Sequence, residues 1–157
     1  MTEERTILVC GDAARGDDGA AIAAIARLAP IRRYGIRVRV VGQLEPDQLV
    51  GALLAGRCMV VDAVRGVVPG RVVEMPLRRI AEPGGPLPAS SHAMPVATVV
   101  GLAAALGADL DRGWFVGIGG ARFELGSGLS ESVEDALATA AGAVDRRLRV
   151  WEVWPCA

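Results

Sequence analysis

Apolar and polar residues follow one another along this chain in two alternating patterns. Short apolar runs predict buried strands, and longer stretches with apolar residues three or four positions apart predict amphipathic helices. The predicted strands cover residues 6–11, 35–42, 57–63, 68–77 and 113–123. The predicted helices cover residues 17–29, 46–56, 92–106 and 130–148. The Pro- and Gly-rich segment 78–91 is predicted to be a loop, and the tail 149–157 is predicted to pack onto the body of the protein.

The alternation of strands with helices predicts the fold class. We expect an α/β protein, a three-layer α/β/α sandwich whose twisted, mostly parallel sheet of about five strands has helices on both faces. The segment 68–77 follows the strand 57–63 too closely for a helical crossover, so we expect an antiparallel edge strand there. No internal repeat interrupts this order, and residues 1–157 are predicted to form a single domain.

Composition and charge narrow the range of partners. Of the 157 residues 52% are hydrophobic, and 17 basic and 18 acidic residues give a formal net charge of −1. This balance, without a basic stripe, argues against a nucleic-acid partner. The longest apolar stretch, 94–108, is too short to span a bilayer, and no signal-peptide pattern is present. Cys10, Cys58 and Cys156 form no CxxC pair, so we expect free thiols in a reducing cytoplasm. We also expect no membrane partner and a monomer.

The segment after the first predicted strand has the outline of a phosphate-binding loop with inverted charge. Gly11 and Gly16 have the required spacing, but Asp17 and Asp18 stand where such a loop has Lys and then Ser or Thr. Two carboxylates at a helix N-terminus repel phosphate, so a nucleotide site is disfavoured. Asp17 is predicted to cap the helix, because Asp is a favourable N-cap residue. One cap needs one carboxylate, which leaves Asp18 able to bind a cation.

Two further residues stand where a strand gives way to the next element. Asp62 closes the strand 57–63, and His92, the one histidine of the chain, begins a predicted helix. Sites in parallel sheets form at the carboxyl ends of the strands, so we expect Asp18, Asp62 and His92 to converge there. A helix N-terminus favours the neutral imidazole that a metal ligand requires. Two carboxylates and one imidazole suit divalent Zn, Ni, Mn or Fe and leave coordination positions open.

Simpler interpretations of the same residues remain open. Asp62 suits a turn after a strand, and His92 suits a helix cap or a hydrogen-bonded position in the core. Asp18 and Asp62 could instead share a proton as a carboxylate dyad, which would require a strongly raised pKa at cytoplasmic pH. The sequence contains no HExxH, GxSxG or GxGxxG motif that would indicate another chemistry.

Four segments resemble, in order and spacing, the blocks typical of the nickel–iron hydrogenase maturation proteases. Their first block consists of a strand followed by Gly-Asn and then by Arg-Gly-Asp-Asp-Gly. Their second block is a strand that ends in Asp-Ala and is followed by a Pro-Gly turn. The third opens a helix with Ser-Ser-His, and the last leads through Gly-Leu-Ser into the final helix. The matching segments are "ILVCGDAARGDDGAA", "VVDAVRGVVPGRVVEM", "SSHAMPVATVVGLAAALG" and "FVGIGGARFELGSGLSESVEDAL". "GQLEPDQL" is also similar to a stretch of one branch, and together these segments span most of residues 6–148.

The resemblance implies a fold and an activity. The family's fold is a twisted sheet between helices, and its members are endopeptidases that remove the C-terminal extension of a nickel–iron hydrogenase large-subunit precursor after nickel insertion. Asp18, Asp62 and His92 match the family's metal-contacting positions and are the implied catalytic and metal-binding residues. The nickel would arrive with the substrate, held by substrate cysteines. Another divalent cation at the site, such as Zn, Cd or Mn, would be an adventitious occupant.

The sequence departs from the family pattern at Asp12, where the family usually has Asn. This third carboxylate in the loop keeps open a non-catalytic metal-recognition or chaperone-like module for the immature large subunit. A metal-dependent small-molecule amidohydrolase is a separate alternative. The group that activates water also stays open between the metal as Lewis acid and Asp18 or Asp62 as general base. The sequence does not identify the hydrogenase or the bond that is cleaved.

Overall fold

The computed structural model describes residues 3–87 and 94–153. Its strands are β1 (Glu4–Cys10), β2 (Arg37–Gly42), β3 (Gly56–Val64), β4 (Val72–Pro76) and β5 (Gly113–Gly119). Its α-helices are α1 (Ala20–Ala26), α2 (Pro46–Ala55), α3 (Leu77–Ala81), α4 (Val96–Ala105) and α5 (Glu131–Val153). Short 3-10 helices cover Gly16–Gly19, Pro30–Arg33 and Leu110–Arg112.

The strands form one sheet in the order β2-β1-β3-β5-β4. β1 pairs in parallel with β2 and with β3, and β3 pairs in parallel with β5. β4 lies at one edge and runs antiparallel to β5, with Val73 opposite Gly117. The predicted antiparallel edge strand is therefore confirmed. Gly70, with a φ of 82°, supplies the left-handed backbone of the turn that leads into β4.

Helices cover both faces of the sheet, because the central strands carry apolar side chains in both directions. On one face α2, α3 and α4 pack against side chains that include Val60 and Phe115. On the opposite face α1 and α5 pack against side chains that include Val61 and Val116. These four side chains are completely buried. The predicted three-layer α/β/α fold is thus confirmed.

Several predicted boundaries differ from the structure. The helix predicted over 17–29 begins as the 3-10 helix Gly16–Gly19, and α1 covers only Ala20–Ala26. The segment predicted as a loop from residue 78 begins inside α3. The helix predicted from His92 begins at Val96, with Pro95 as its N-cap. Proline disfavours a helical residue before it, which explains why α4 does not extend back through Met94.

The C-terminal half agrees with the prediction at β5 and differs at the last helix. β5 ends at Gly119, inside the segment 113–123 that was predicted to be a strand running into a glycine bend. The last helix, predicted to end at residue 148, continues to Val153. Trp151 of this extension is 6% exposed and packs in the core beneath α5, so the described part of the tail does contact the body.

Two expectations about the chemistry of the chain concern described residues. Cys10 and Cys58 are free and buried, as predicted, and burial raises the pKa of both thiols. Cys156 lies outside the described residues. None of the helices within residues 3–87 and 94–153 is both long enough and apolar enough to cross a membrane.

Candidate active site

A cleft opens at the carboxyl ends of β1 and β3, which are adjacent in the sheet. β1 leads to β2 at one edge, whereas β3 leads to β4 at the other edge. Ligand sites in α/β sheets form where the connections of neighbouring strands diverge in this way. The cleft encloses about 470 Å³. Its charged lining residues are Asp12, Arg15, Asp18, Asp62 and Arg65.

The end of β1 is shaped by a glycine that brings the backbone close to Asp18. Gly11 has a φ of 110°, and its N–H donates to the carbonyl of Gly42 at 2.7 Å. A Cβ atom at position 11 would collide with the backbone carbonyl oxygen of Asp18. Only glycine combines this left-handed backbone with such a close approach. The tight turn at Gly11 therefore places Asp18 at the entrance of the cleft.

Asp12 orients Asp18 through its backbone. The Asp12 N–H donates to Oδ2 of Asp18 at 2.8 Å. The Asp12 side chain turns back along its own loop, where Oδ1 accepts from the N–H of Ala14 at 2.9 Å. Its other oxygen, Oδ2, lies 3.7 Å from Nε of Arg15. An asparagine would make the same bond to Ala14, so Asp12 adds a charge that Arg15 partly balances.

Asp17 does not cap a helix, and that prediction is wrong. Neither the 3-10 helix Gly16–Gly19 nor α1 has a side-chain cap at its N-terminus. The completely buried Asp17 carboxylate instead accepts four hydrogen bonds from the segment after β5. They come from the N–H groups of Ala121 at 2.7 Å, Arg122 at 2.9 Å and Ser130 at 2.6 Å, and from the Ser130 hydroxyl at 2.8 Å.

These bonds determine the ionisation of Asp17. Burial by itself would raise the pKa of this carboxyl, but the hydrogen bonds from Ser130, Arg122 and Ala121 outweigh burial and lower its pKa below 3.8. In return, the Asp17 N–H donates to the carbonyl of Arg122 at 2.6 Å. Asp17 is therefore an ionised anchor that fixes the loop carrying Asp18 to the loop before α5.

Asp62 lies near the end of β3 and is half-buried beside the Asp18 charge. Burial and, as a smaller effect, the negative charge of Asp18 together raise the pKa of Asp62 to about 7, although the backbone hydrogen bond from Ala63 opposes both. Asp18 and Asp62 both line the cleft. Asp18 and Asp62, predicted to converge from sequence positions on different strands, are brought together.

The third predicted residue, His92, lies outside the described residues. The described chain continues at Met94, which lines the cleft together with Pro95, Val96 and Ala97. Within residues 3–87 and 94–153 no group of three or more His, Cys, Asp or Glu side chains is placed to hold a metal ion. That part of the chain thus supplies a pair of carboxylates, and the role of His92 stays a prediction.

Two residues at or beside the cleft were not identified by reasoning from the sequence. Ser130 binds Asp17 twice, and its place directly before the last helix was the available signal. Arg65 lines the cleft and follows β3 directly, at a place where loops of a parallel sheet commonly contribute to sites. Both lie in segments that the family blocks already include.

Comparison with known proteins supports this architecture. No protein-family model and no curated protein matches the chain. Among solved structures, the nickel–iron hydrogenase maturation protease HybD from Thermococcus kodakarensis is 26% identical, with a TM-score of 0.66 over 92% of this chain and 99% of that chain. HybD from E. coli is 16% identical, with a TM-score of 0.68 over 94% and 93% of the two chains. The maturation protease HycI from Thermococcus kodakarensis is 20% identical, with a TM-score of 0.65 over 94% and 93%.

The chain therefore combines the three-layer fold of these solved structures with a pair of carboxylates, Asp18 and Asp62, in the cleft at the strand ends. By its fold, the chain resembles the nickel–iron hydrogenase maturation proteases. The resemblance seen in the sequence blocks is confirmed.

Proposed function

We propose that this protein is an endopeptidase that removes the C-terminal extension of a nickel–iron hydrogenase large-subunit precursor after nickel insertion. Asp18, Asp62 and His92 would recognise the nickel that the precursor carries. The observation that supports the proposal most directly is the pair Asp18 and Asp62 in one cleft, on the fold of proteins named as hydrogenase maturation proteases. The nickel belongs to the substrate in this proposal and is not a resident cofactor.

The geometry suits a sensor for a metal that other ligands already hold. Asp18 is oriented by the Asp12 N–H, and its loop is anchored by Asp17. Two fixed carboxylates offer oxygen ligands while leaving most coordination positions of a cation to the substrate. Engagement of the loaded nickel would then place the peptide bond of the extension in the cleft. A precursor without nickel lacks this contact and would not be positioned for hydrolysis.

Hydrolysis itself requires that water lose a proton as it attacks the peptide carbonyl carbon. The C–N bond then breaks, and the leaving nitrogen takes up a proton. A carboxylate of the pair can accept the proton from water and return it to the nitrogen. Both Asp18 and Asp62 are candidates for this role, and the nickel as Lewis acid is the other.

The proposal is tested with nickel-loaded and nickel-free precursor, using mass spectrometry to detect the released extension. We expect cleavage of the loaded precursor alone. Asp18→Asn and Asp62→Asn should each lower the rate by about 100-fold or more, as loss of a general base or metal contact does. Asp47→Asn, an exposed change on α2, is the matched control and should retain the wild-type rate.

The outcomes separate the alternatives. Wild-type rates in the Asp18 and Asp62 variants would show that the site is wrongly assigned. Tight binding of loaded precursor without any cleavage would favour the metal-recognition module. Hydrolysis of small amides but not of the precursor would favour the amidohydrolase. Gel filtration with light scattering tests the expected monomer, and thiol titration of the isolated protein tests the reduced state expected in the cytoplasm.

A further inference from the structure

The arginines Arg15 and Arg65 line the cleft. Among residues 3–87 and 94–153, Arg65 has no carboxylate partner. Its guanidinium carbon lies 4.2 Å from the centroid of the Phe123 ring, within the range of a cation–π contact. The other cleft arginine, Arg15, is paired with Asp12 at 3.7 Å. Stacking on a ring face leaves the in-plane N–H donors of a guanidinium available, so Arg65 can bind a further group.

The ring beneath Arg65 is held in place by the buried anchor. Phe123 follows Ala121 and Arg122, whose N–H groups both donate to Oδ2 of Asp17. The ring also packs over Gly120, where a Cβ atom would lie 2.5 Å from Cζ of Phe123. The position of the Arg65 guanidinium is therefore set by the same contacts that fix the loop of Asp18. Such preorganisation lowers the entropy cost of binding.

Arg65 lies a short distance along the chain from the carboxylate pair. It follows Asp62 by three residues, so the two Cα atoms are at most about 11 Å apart. An extended peptide covers that distance with about three residues. A planar guanidinium with parallel donors matches a carboxylate, which it binds with two charge-assisted hydrogen bonds.

We propose that Arg65 is a specificity residue that binds a carboxylate of the substrate peptide, close to the position that Asp18 and Asp62 engage. The carboxylate comes from an acidic side chain or from the C-terminus of the peptide. This inference rests on the proposed function for its substrate, a peptide segment. It assigns Arg65 to recognition of the peptide and not to the chemical step.

Direct binding of short peptides tests the proposal without relying on cleavage. The probes are acetyl-Ala-Ala-Glu-Ala-Ala-amide, the same peptide with Gln in place of Glu, and acetyl-penta-alanine with a free carboxylate. The affinities of wild type and of each variant are measured by isothermal titration calorimetry, whose signal does not depend on the Arg65 side chain. We expect at least one carboxylate peptide to bind on the order of tenfold more tightly than the Gln peptide. The Glu and free-acid peptides distinguish a side-chain carboxylate from a C-terminal one.

Variants decide whether Arg65 is responsible. Arg65→Gln should abolish the preference for a carboxylate, and Phe123→Leu should weaken it by removing the ring beneath the guanidinium. Arg27→Gln is the matched control, because α1 begins beside the cleft and Arg27 lies exposed at its far end. Equal affinities for all three peptides, or a carboxylate preference that persists in Arg65→Gln, would overturn the proposal.

Precursor cleavage separates this inference from the proposed function. If wild type cleaves, Arg65→Gln should raise KM on the order of tenfold with little change in kcat. If the bound carboxylate is a side chain, a precursor whose acidic extension residues are replaced by Gln or Asn should show no such difference between the two proteins. If wild type does not cleave loaded precursor, the proposed function fails, and the peptide titrations still decide whether Arg65 recognises carboxylates.

Discussion

Replacing Asp17 by asparagine tests the anchor beneath the active-site loop. The change keeps the size and shape of the side chain but exchanges one carboxylate oxygen for an NH₂ group. Oδ2 accepts three of the four hydrogen bonds, and Oδ1 accepts the fourth from the N–H of Ser130 at 2.6 Å. The better orientation of the amide keeps its oxygen at the Oδ2 position. Its NH₂ group then faces the Ser130 N–H, and two donors oppose each other.

The magnitude follows from these contacts. The unsatisfied Ser130 N–H costs about 1–3 kcal/mol, and three bonds to a charged acceptor become bonds to a neutral one, at roughly 1 kcal/mol each. Relief from burying a charge offsets part of this sum. We therefore expect Asp17→Asn to lower the free energy of unfolding by about 3–5 kcal/mol. For a chain of this length, that corresponds to a decrease in Tm of roughly 6–20 °C.

The assay is urea unfolding at neutral pH, with two comparison variants. Ser130→Ala removes the hydroxyl donor but keeps the backbone N–H, so it should cost about 1 kcal/mol. Asp135→Asn changes an exposed carboxylate on α5 and should stay within about 0.5 kcal/mol of wild type. A loss in Asp17→Asn no larger than that in Asp135→Asn would refute the reasoning, because it would mean that the four bonds contribute nothing.

Three further predictions concern the same region. Because folding lowers the pKa of Asp17 from 3.8, the ionised carboxylate stabilises the folded protein above pH 3.8, and this stabilisation is lost as pH falls through the folded-state pKa. The free energies of unfolding of wild type and Asp17→Asn should therefore converge in acid. Urea unfolding at a series of pH values from neutral to pH 3 will measure this. Gly11→Ala should lower the free energy of unfolding by at least about 2 kcal/mol, because φ at this position is 110° and the added Cβ would collide with the backbone carbonyl of Asp18. The control Gly51→Ala lies in open space on α2 and should raise the free energy of unfolding by about 0.5–1 kcal/mol. Thermal unfolding measures both. Asp12→Asn should change the free energy of unfolding by less than about 1 kcal/mol, because it keeps the bond to Ala14 and loses only an exposed ion pair; a larger loss in urea unfolding would contradict this account of the loop.

Secondary structure was predictable where local pattern and tertiary packing agree. The apolar runs of β1 and β3 mark strands buried on both faces, and the short spacing before β4 required an antiparallel partner. Boundaries were less predictable. The periodicity after β1 continues from residue 17, yet the first turn is a 3-10 helix, and the Asp17 N–H in it bonds to the distant carbonyl of Arg122. A pattern of apolar spacing carries no information about such a contact.

The candidate site shows the same division. Asp18 and Asp62 could be paired from the sequence, because parallel strands place their carboxyl ends at one edge of the sheet. The roles of the adjacent residues could not be assigned in this way. Asp17 and Asp18 look equivalent in the sequence, but one turns into the protein and the other faces the cleft. Arg65 belongs to no recognisable sequence motif. Its contact with Phe123 depends on the loop after β5, whereas Arg65 itself follows β3.

The sequence by itself determined the α/β fold, the edge strand and the convergence of Asp18 with Asp62, because periodicity and connection length act locally along the chain. The tertiary structure alone decided what Asp17 does. A helix cap would bind within its own turn, but the partners of Asp17 lie 104 to 113 residues away in the chain. A buried carboxylate binds the donors that surround it in the folded protein, and packing of the whole chain selects those donors.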